Sequence, residues 1–104
     1  MKPLQVIAPA EAEFREVTAW YRERDPRVAD RFAAEARKTL ELIEQFPRIG
    51  GLVDGIDDRD VRRMPIRSFP YSVVFVDLAD RIEVVAFAHY RRRPGYFISR
   101  LSKS

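Results

Sequence analysis

The sequence predicts an α+β fold in which two helices pack on one face of a largely antiparallel sheet. Apolar residues recur at helical spacing in the first half of the chain, whereas two later segments have apolar residues at adjacent positions, as buried strands do. No internal repeat or low-complexity segment interrupts this order. A chain of 104 residues has the size of one domain with one core, so we expect a single domain over residues 1–104.

The first helix is predicted to follow a short β-prone run at residues 4–7. Pro9 stands where a first helical residue tolerates the loss of its amide hydrogen. Phe14, Val17 and Tyr21 then fall at helical spacing, which is incompatible with the alternation of a strand. One face of this helix is therefore expected to be largely aromatic and the other charged.

The dipeptide Asp25-Pro26 predicts the start of a second helix. An Asp side chain can cap exposed amides, and Pro has the helical backbone angle already set. Apolar residues keep a helical stripe from Ala29 to Ile43, and Pro47 disfavours helical geometry at the residue before it. Because the connection between the two helices is so short, we expect an antiparallel helical hairpin.

Three strands are predicted at residues 60–66, 71–78 and 81–89, after a polar loop over residues 50–58. The last two are joined by a tight turn at Ala79-Asp80, and their apolar runs suggest central strands that are covered in part on both faces. Pro65 lies in the first of the three, which suits an edge strand or a bulge.

The composition excludes several classes of function. The chain has no cysteine, so it has neither disulfides nor thiolate metal sites, and its single histidine cannot anchor a zinc ion alone. We expect no metal and no cofactor. No apolar run approaches the length needed to cross a bilayer, and the start of the chain lacks the apolar core of a signal peptide. These features predict a soluble cytoplasmic protein.

Charge is distributed unevenly along the chain. Residues 1–58 carry 9 basic and 12 acidic side chains, a balance of −3, whereas residues 59–104 carry 10 basic and 4 acidic ones, a balance of +6. This polarity favours an acidic partner, either nucleic acid or an acidic protein segment, through an attraction that weakens with salt.

Four residues in the last third of the chain are candidates for a functional site. Arg67 precedes a turn and presents a planar fork suited to phosphate or carboxylate, although a surface ion pair is an equal alternative. His89 could act as a general acid or base, or it could cap the strand end by bonding to backbone. Arg92 precedes the turn at Pro94-Gly95, and Tyr96 follows that turn.

The neighbouring residues have structural alternatives of their own. The run Arg91-Arg92-Arg93 cannot serve one pocket as a whole, because an extended backbone spreads successive side chains over both sides. Phe97 could stack on a partner but is better explained as a core residue, and Arg100 could bind a phosphate or form a salt bridge.

The order of these residues resembles the hallmark of the bacterial RelE/ParE superfamily of toxins from type II toxin-antitoxin pairs. The resemblance runs from Trp20 to Arg100, and its most specific part is Arg67, then Phe69-Pro70-Tyr71, then His89 and Arg92 followed by Pro94-Gly95-Tyr96. It implies a compact fold like that of microbial RNases. It also implies a cognate antitoxin, which we expect to place an acidic or amphipathic segment in the groove between the helical hairpin and the sheet.

Two branches of the superfamily predict different activities. Members that are RNases usually have a further Arg two residues before the one matched by Arg92, where this chain has Tyr90. The order and spacing of the motifs look closer to ParE, whose branch is associated with poisoning DNA gyrase. We therefore expect a toxin of a plasmid stabilisation module that inhibits gyrase by binding. The alternative is a ribosome-dependent mRNA endoribonuclease, and a third possibility is a non-toxic member that retains only antitoxin binding.

The two activities assign the residues differently. As an RNase, the chain would use Arg67, His89, Arg92 and Tyr96 in metal-independent catalysis. Contacts with the target or the antitoxin are expected from a second set of cationic and aromatic residues, namely Arg62, Arg63, Tyr90, Arg91, Arg93, Phe97 and Arg100.

Overall fold

The computed structural model describes residues 1–56 and 58–101 and confirms the α+β class. Its elements, in chain order, are β1 (Leu4–Val6), α1 (Ala8–Arg24), α2 (Pro26–Gln45), β2 (Gly51–Leu52), β3 (Val61–Pro65), β4 (Tyr71–Asp77), β5 (Ile82–His89) and a final 3-10 turn (Ile98–Arg100). The strands form one sheet in the order β1-β5-β4-β3-β2. Only the pairing of β1 with β5 is parallel; the other three are antiparallel.

Both helix starts follow the sequence signals. Pro9 lies in the first turn of α1, and the Asp25 carboxylate accepts a hydrogen bond from the Arg27 amide at the start of α2. The two helices pack on each other and on one face of the sheet. Between them, the Phe32 ring is fully buried and stacks on Phe14 at a centroid distance of 5.7 Å. The predicted helical hairpin is confirmed.

The central strands β4 and β5 are covered on both faces. Val73 and Phe75 of β4 point to the core under the helices, whereas Val74 and Val76 point to a second core on the opposite face. In β5 a bulge interrupts this alternation, because Val74 pairs with Ala86 but Phe75 pairs with Val84. The extra residue between those partners joins Ala86 in facing the second core.

Two expectations about the other side of the sheet are corrected. Residues 51 and 52, predicted as loop, form the short edge strand β2, which the sequence does not indicate because it is two residues long and begins with the second of two glycines. Consequently β3 is not the edge strand, since β2 pairs with Arg62 and Arg63. Pro65 nevertheless lies beyond that pairing, so its missing amide hydrogen removes no bond to β2.

No helix within residues 1–56 and 58–101 combines the length and the apolar character that crossing a bilayer requires.

We expect the pairing of β2 with β3 to depend on Gly50, which directly precedes β2. Its φ is +87°, and a Cβ at this position would lie 2.4 Å from the Arg63 carbonyl oxygen. Gly55 has a similar φ of +84° but no atom within 4 Å of such a Cβ, so it is a matched control. We expect Gly50→Ala to lower the free energy of unfolding by about 2 to 3 kcal/mol and Gly55→Ala by about 1 kcal/mol. Equal losses in urea titrations would contradict this.

Candidate functional site

The segment after β5 is anchored at both ends. Its first turn is closed by the Arg92 amide, which donates to the His89 carbonyl at 3.0 Å, and the next by the Tyr96 amide, which donates to the Arg93 carbonyl at 3.2 Å. Gly95 supplies a φ of +76° between these turns and the buried Phe97. The arginine run is therefore a short loop held between a strand and the second core.

Two clefts flank this loop. The tail cleft, of about 610 Å³, lies between residues 52–55 and residues 92–98, with Val74 and Ala88 of the sheet among its lining. The helix cleft, of about 390 Å³, lies between α1 and the end of β5 and is bordered by the half-exposed Trp20. His89, Arg92 and Tyr96 line both clefts, so the structure brings together three of the four predicted catalytic residues.

His89 caps the end of β5. Its Nδ1 accepts a hydrogen bond from the Arg91 amide at 3.0 Å, and its ring meets the Tyr71 ring edge to face at 5.0 Å. This is the backbone-capping role that the sequence left open. Because Nδ1 is occupied, Nε2 is the ring nitrogen left for any other partner.

Tyr96 is held as a hydrogen-bond donor. Its hydroxyl donates to Oε2 of Glu13 at 2.7 Å. Burial of the ring is the main cause that raises the pKa of Tyr96 far above its usual value, and the bond to the Glu13 carboxylate raises it further. The proton of this phenol is therefore harder to remove than that of an ordinary tyrosine, which disfavours its use in proton transfer.

The Arg92 guanidinium stacks on the Tyr96 ring, with its central carbon 4.0 Å from the ring centroid. Around it, the exposed side chains of Arg63, Tyr90 and Arg93 line the tail cleft, and Arg91 is exposed beside them. We call these five residues the cationic rim. Apart from this stacking, no side chain of the rim forms an ion pair or hydrogen bond with a described residue, so the rim can meet an anionic partner.

Arg67 lies apart from the two clefts. It is exposed in the turn between β3 and β4, which is closed by the Ile66 amide donating to the Tyr71 carbonyl at 2.9 Å, and the next residue, Ser68, has a φ of +70°. Tyr71 pairs with His89, so Arg67 is at the same end of the sheet as the rim. It lines neither cleft.

Three of the predicted contact residues have internal roles. Arg62 lies 2.9 Å from Asp60 and donates to the Gly50 carbonyl at 3.2 Å. Arg100 forms an ion pair with Glu13 at 2.9 Å, and the Phe97 side chain is buried in the second core. In the free protein these side chains stabilise the fold and are not presented to a partner.

Glu13 is the site residue that the sequence interpretation missed. It accepts hydrogen bonds from the Tyr96 hydroxyl, from Arg100 and from the Phe87 amide. The sequence does contain a signal: Glu13 lies three residues after the buried Ala10 and four before Val17, so an acid stands on the apolar face of α1. Among the described residues, no group of three or more His, Asp or Glu side chains could hold a metal ion.

Comparison with known proteins agrees with this architecture. Residues 6–94 match the family described as the ParE toxin of the type II toxin-antitoxin system, parDE. A solved structure described as the chromosomal ParDE toxin-antitoxin system from P. aeruginosa has a similar fold, with a TM-score of 0.73 and 16% sequence identity over 86% of this chain and 96% of that one. A search of curated proteins finds no match. Because the family match covers most of the sequence, the chain belongs to the ParE toxin family of type II toxin-antitoxin systems.

Proposed function

We propose that this ParE-family toxin arrests growth by binding DNA gyrase through the cationic rim, without chemistry of its own. The observation that carries the proposal is the state of the two candidate proton carriers. The Tyr96 hydroxyl is bonded to Glu13, and Nδ1 of His89 is bonded to the Arg91 amide. Since an RNase needs an acid and a base that face one phosphate, their use in internal bonds favours a binding function.

The charge of the rim supports the same function. Four of its five residues are arginines: three lie with Tyr90 just after the end of β5, and Arg63, in β3, lines the same tail cleft. Exposed like charges attract an acidic or DNA-bound partner over distances of several ångströms, and Arg and Tyr are enriched among residues that dominate protein interfaces. Gyrase would be met in the cytoplasm.

An endoribonuclease that acts on mRNA at the ribosome is the second candidate. It is favoured by one observation, that His89, Arg92 and Tyr96 share the wall between the two clefts. Nε2 of His89 would then have to move protons alone, while Arg92 and the distant Arg67 held the phosphate.

Family membership implies a cognate antitoxin. We propose that the antitoxin binds in the helix cleft, where Trp20, Val17 and Tyr21 offer aromatic and apolar surface beside Arg92. An amphipathic segment with acidic residues would bury this surface and neutralise the arginine. Such a segment would reach the rim from the helix side.

Labelling of DNA and protein synthesis in the minutes after induction distinguishes the two activities. We expect DNA synthesis to stop first, with translation continuing, both for the native toxin and for His89→Gln, because a binding surface does not need an imidazole. If translation stops first, and His89→Gln abolishes that effect, the gyrase proposal is wrong and the endoribonuclease is favoured.

The rim should account for gyrase inhibition. Arg91→Gln combined with Arg93→Gln removes two exposed charges and leaves the stacked Arg92 in place. At about 0.5 to 1 kcal/mol for each charge, inhibition of purified gyrase should weaken by about five- to thirtyfold, and less so at high salt.

The matched control is Arg31→Gln combined with Arg37→Gln, which removes two exposed charges from α2. It should leave inhibition nearly unchanged. Equal losses in the two double variants would mean that net charge, and not the rim, determines inhibition.

Antitoxin binding should depend on Trp20. The Trp20 side chain is 51% exposed in the helix cleft, and Phe46 is 57% exposed but lies outside it, so the two residues form a matched pair. We expect Trp20→Ala to weaken binding of the antitoxin by about 2 kcal/mol or more, as for a buried aromatic anchor, and Phe46→Ala to leave it nearly unchanged. Calorimetry on the purified pair measures both, and the reverse order would place the antitoxin elsewhere.

A further inference from the structure

The outer edge of β5 is only partly covered by a neighbouring strand. β1 pairs with β5 at three positions, the last being Val6 with Val84, and the Ile7 amide then donates to the Val84 carbonyl. From Val85 to His89 no strand among the described residues pairs with this edge. Backbone groups there need other partners, because an unpaired polar group away from water is costly.

Two side chains cover this edge in place of a strand. Oε1 of Glu13 accepts from the Phe87 amide at 3.1 Å, and Nη1 of Arg100 donates to the Val85 carbonyl at 3.1 Å. The two side chains also bind each other, at 2.9 Å between Arg100 Nη1 and Glu13 Oε1. Helix α1 and the end of the chain are therefore joined through the edge of the sheet.

The same carboxylate reaches the rim through Tyr96. Its second oxygen, Oε2, accepts from the Tyr96 hydroxyl, and the Tyr96 ring is the surface on which Arg92 stacks. The Tyr96 ring also lies 5.1 Å from the Arg100 guanidinium and meets the buried Phe97 ring edge to face. A chain of contacts thus runs from Glu13 to Tyr96 to Arg92.

Glu13 is well placed to fix these contacts. Its side chain is 13% exposed and that of Arg100 is 20% exposed, so the ion pair is only weakly screened by solvent. Bonds of this kind to a charged acceptor are stronger than neutral ones, and loss of the acceptor leaves several donors unsatisfied at once. By contrast, the Glu11 carboxylate on the same helix makes only an exposed pair with Arg15.

We propose that Glu13 is a positioning residue of the toxin: by binding Tyr96, Arg100 and the Phe87 amide, it holds the arginine loop in the orientation in which the rim meets its target. The proposal rests on the rim being the contact surface. Glu13 itself is not required to touch the target. Its effect is to order the loop before binding, so that less conformational freedom is lost when the complex forms.

The test compares Glu13→Gln with Glu11→Gln in the full chain. Hydrogen exchange at the Phe87 amide and the rate of trypsin cleavage after Arg91 and Arg92 report on the loop alone; the bond after Arg93 precedes Pro94 and resists trypsin. We expect Glu13→Gln to raise both by about ten- to a hundredfold, the range for losing one bond to a charged group. Glu11→Gln should match the native chain.

Toxicity on induction is measured in the same variants as the dose that halves the growth rate, whatever the target proves to be. We expect Glu13→Gln to need a dose about tenfold higher, in line with the loosened loop. If the loop loosens but the dose is unchanged, or if the loop does not loosen, the positioning role is wrong. A failure of the native toxin to inhibit gyrase would reject the gyrase proposal without changing the exchange and cleavage results.

Tyr96→Phe provides a second test in case Glu13→Gln fails to fold. It keeps the ring under Arg92 and removes only the hydroxyl that Glu13 binds, so the fold should survive. We expect faster cleavage of the arginine loop with little change in Phe87 exchange, because the Glu13 bond to that amide remains. In a double-mutant cycle, the effects of Glu13→Gln and Tyr96→Phe on the rate of trypsin cleavage should be strongly non-additive. Simple additivity would overturn the proposed chain of contacts.

Discussion

The burial of β4 and β5 on both faces is the constraint on which the rest of the structure depends. Two helices cover one face, but no third α-helix within residues 1–56 and 58–101 covers the other, and the segment that contains Phe97 packs there. The bulge at Val85 places two consecutive residues of β5, Val85 and Ala86, in the second core, while Val84 and Phe87 face the helices. As a result, the piece of chain that completes the second core also bounds the arginine loop, so the core and the proposed contact surface share one segment.

This sharing divides the basic residues of the C-terminal half into two groups. Arg62 and Arg100 are drawn into ion pairs because each lies beside a partly buried carboxylate that needs a counter-charge. Arg91 and Arg93 lie on the loop between the two anchored ends, where they are exposed to solvent and form no ion pair with a described residue. The net charge of this half therefore overstates the charge that a partner meets, and position in the fold decides which arginines remain available.

Local signals were sufficient to predict most of the fold. Asp25-Pro26 and Pro9 predicted the helix starts, and the apolar runs predicted the two central strands, because caps and periodicity act within a few residues. The parallel pairing of β1 and the two-residue β2 depend on contacts between distant segments, which a single sequence does not show. The same holds for the site. His89 and Arg92 were identified from their motif, whereas Glu13 lies 83 residues from Tyr96, and only the fold brings the two together.

The network around Glu13 also shows how side chains of catalytic type can be used in structural bonds. Tyr96 could transfer a proton in another setting, but here its hydroxyl donates a hydrogen bond to the Glu13 carboxylate. His89 could also transfer a proton, but its Nδ1 accepts a hydrogen bond from the Arg91 amide in the loop that follows. These bonds join the loop to β5 and to helix α1. Side chains that look catalytic in the sequence are therefore engaged in this structure in bonds that hold the arginine loop.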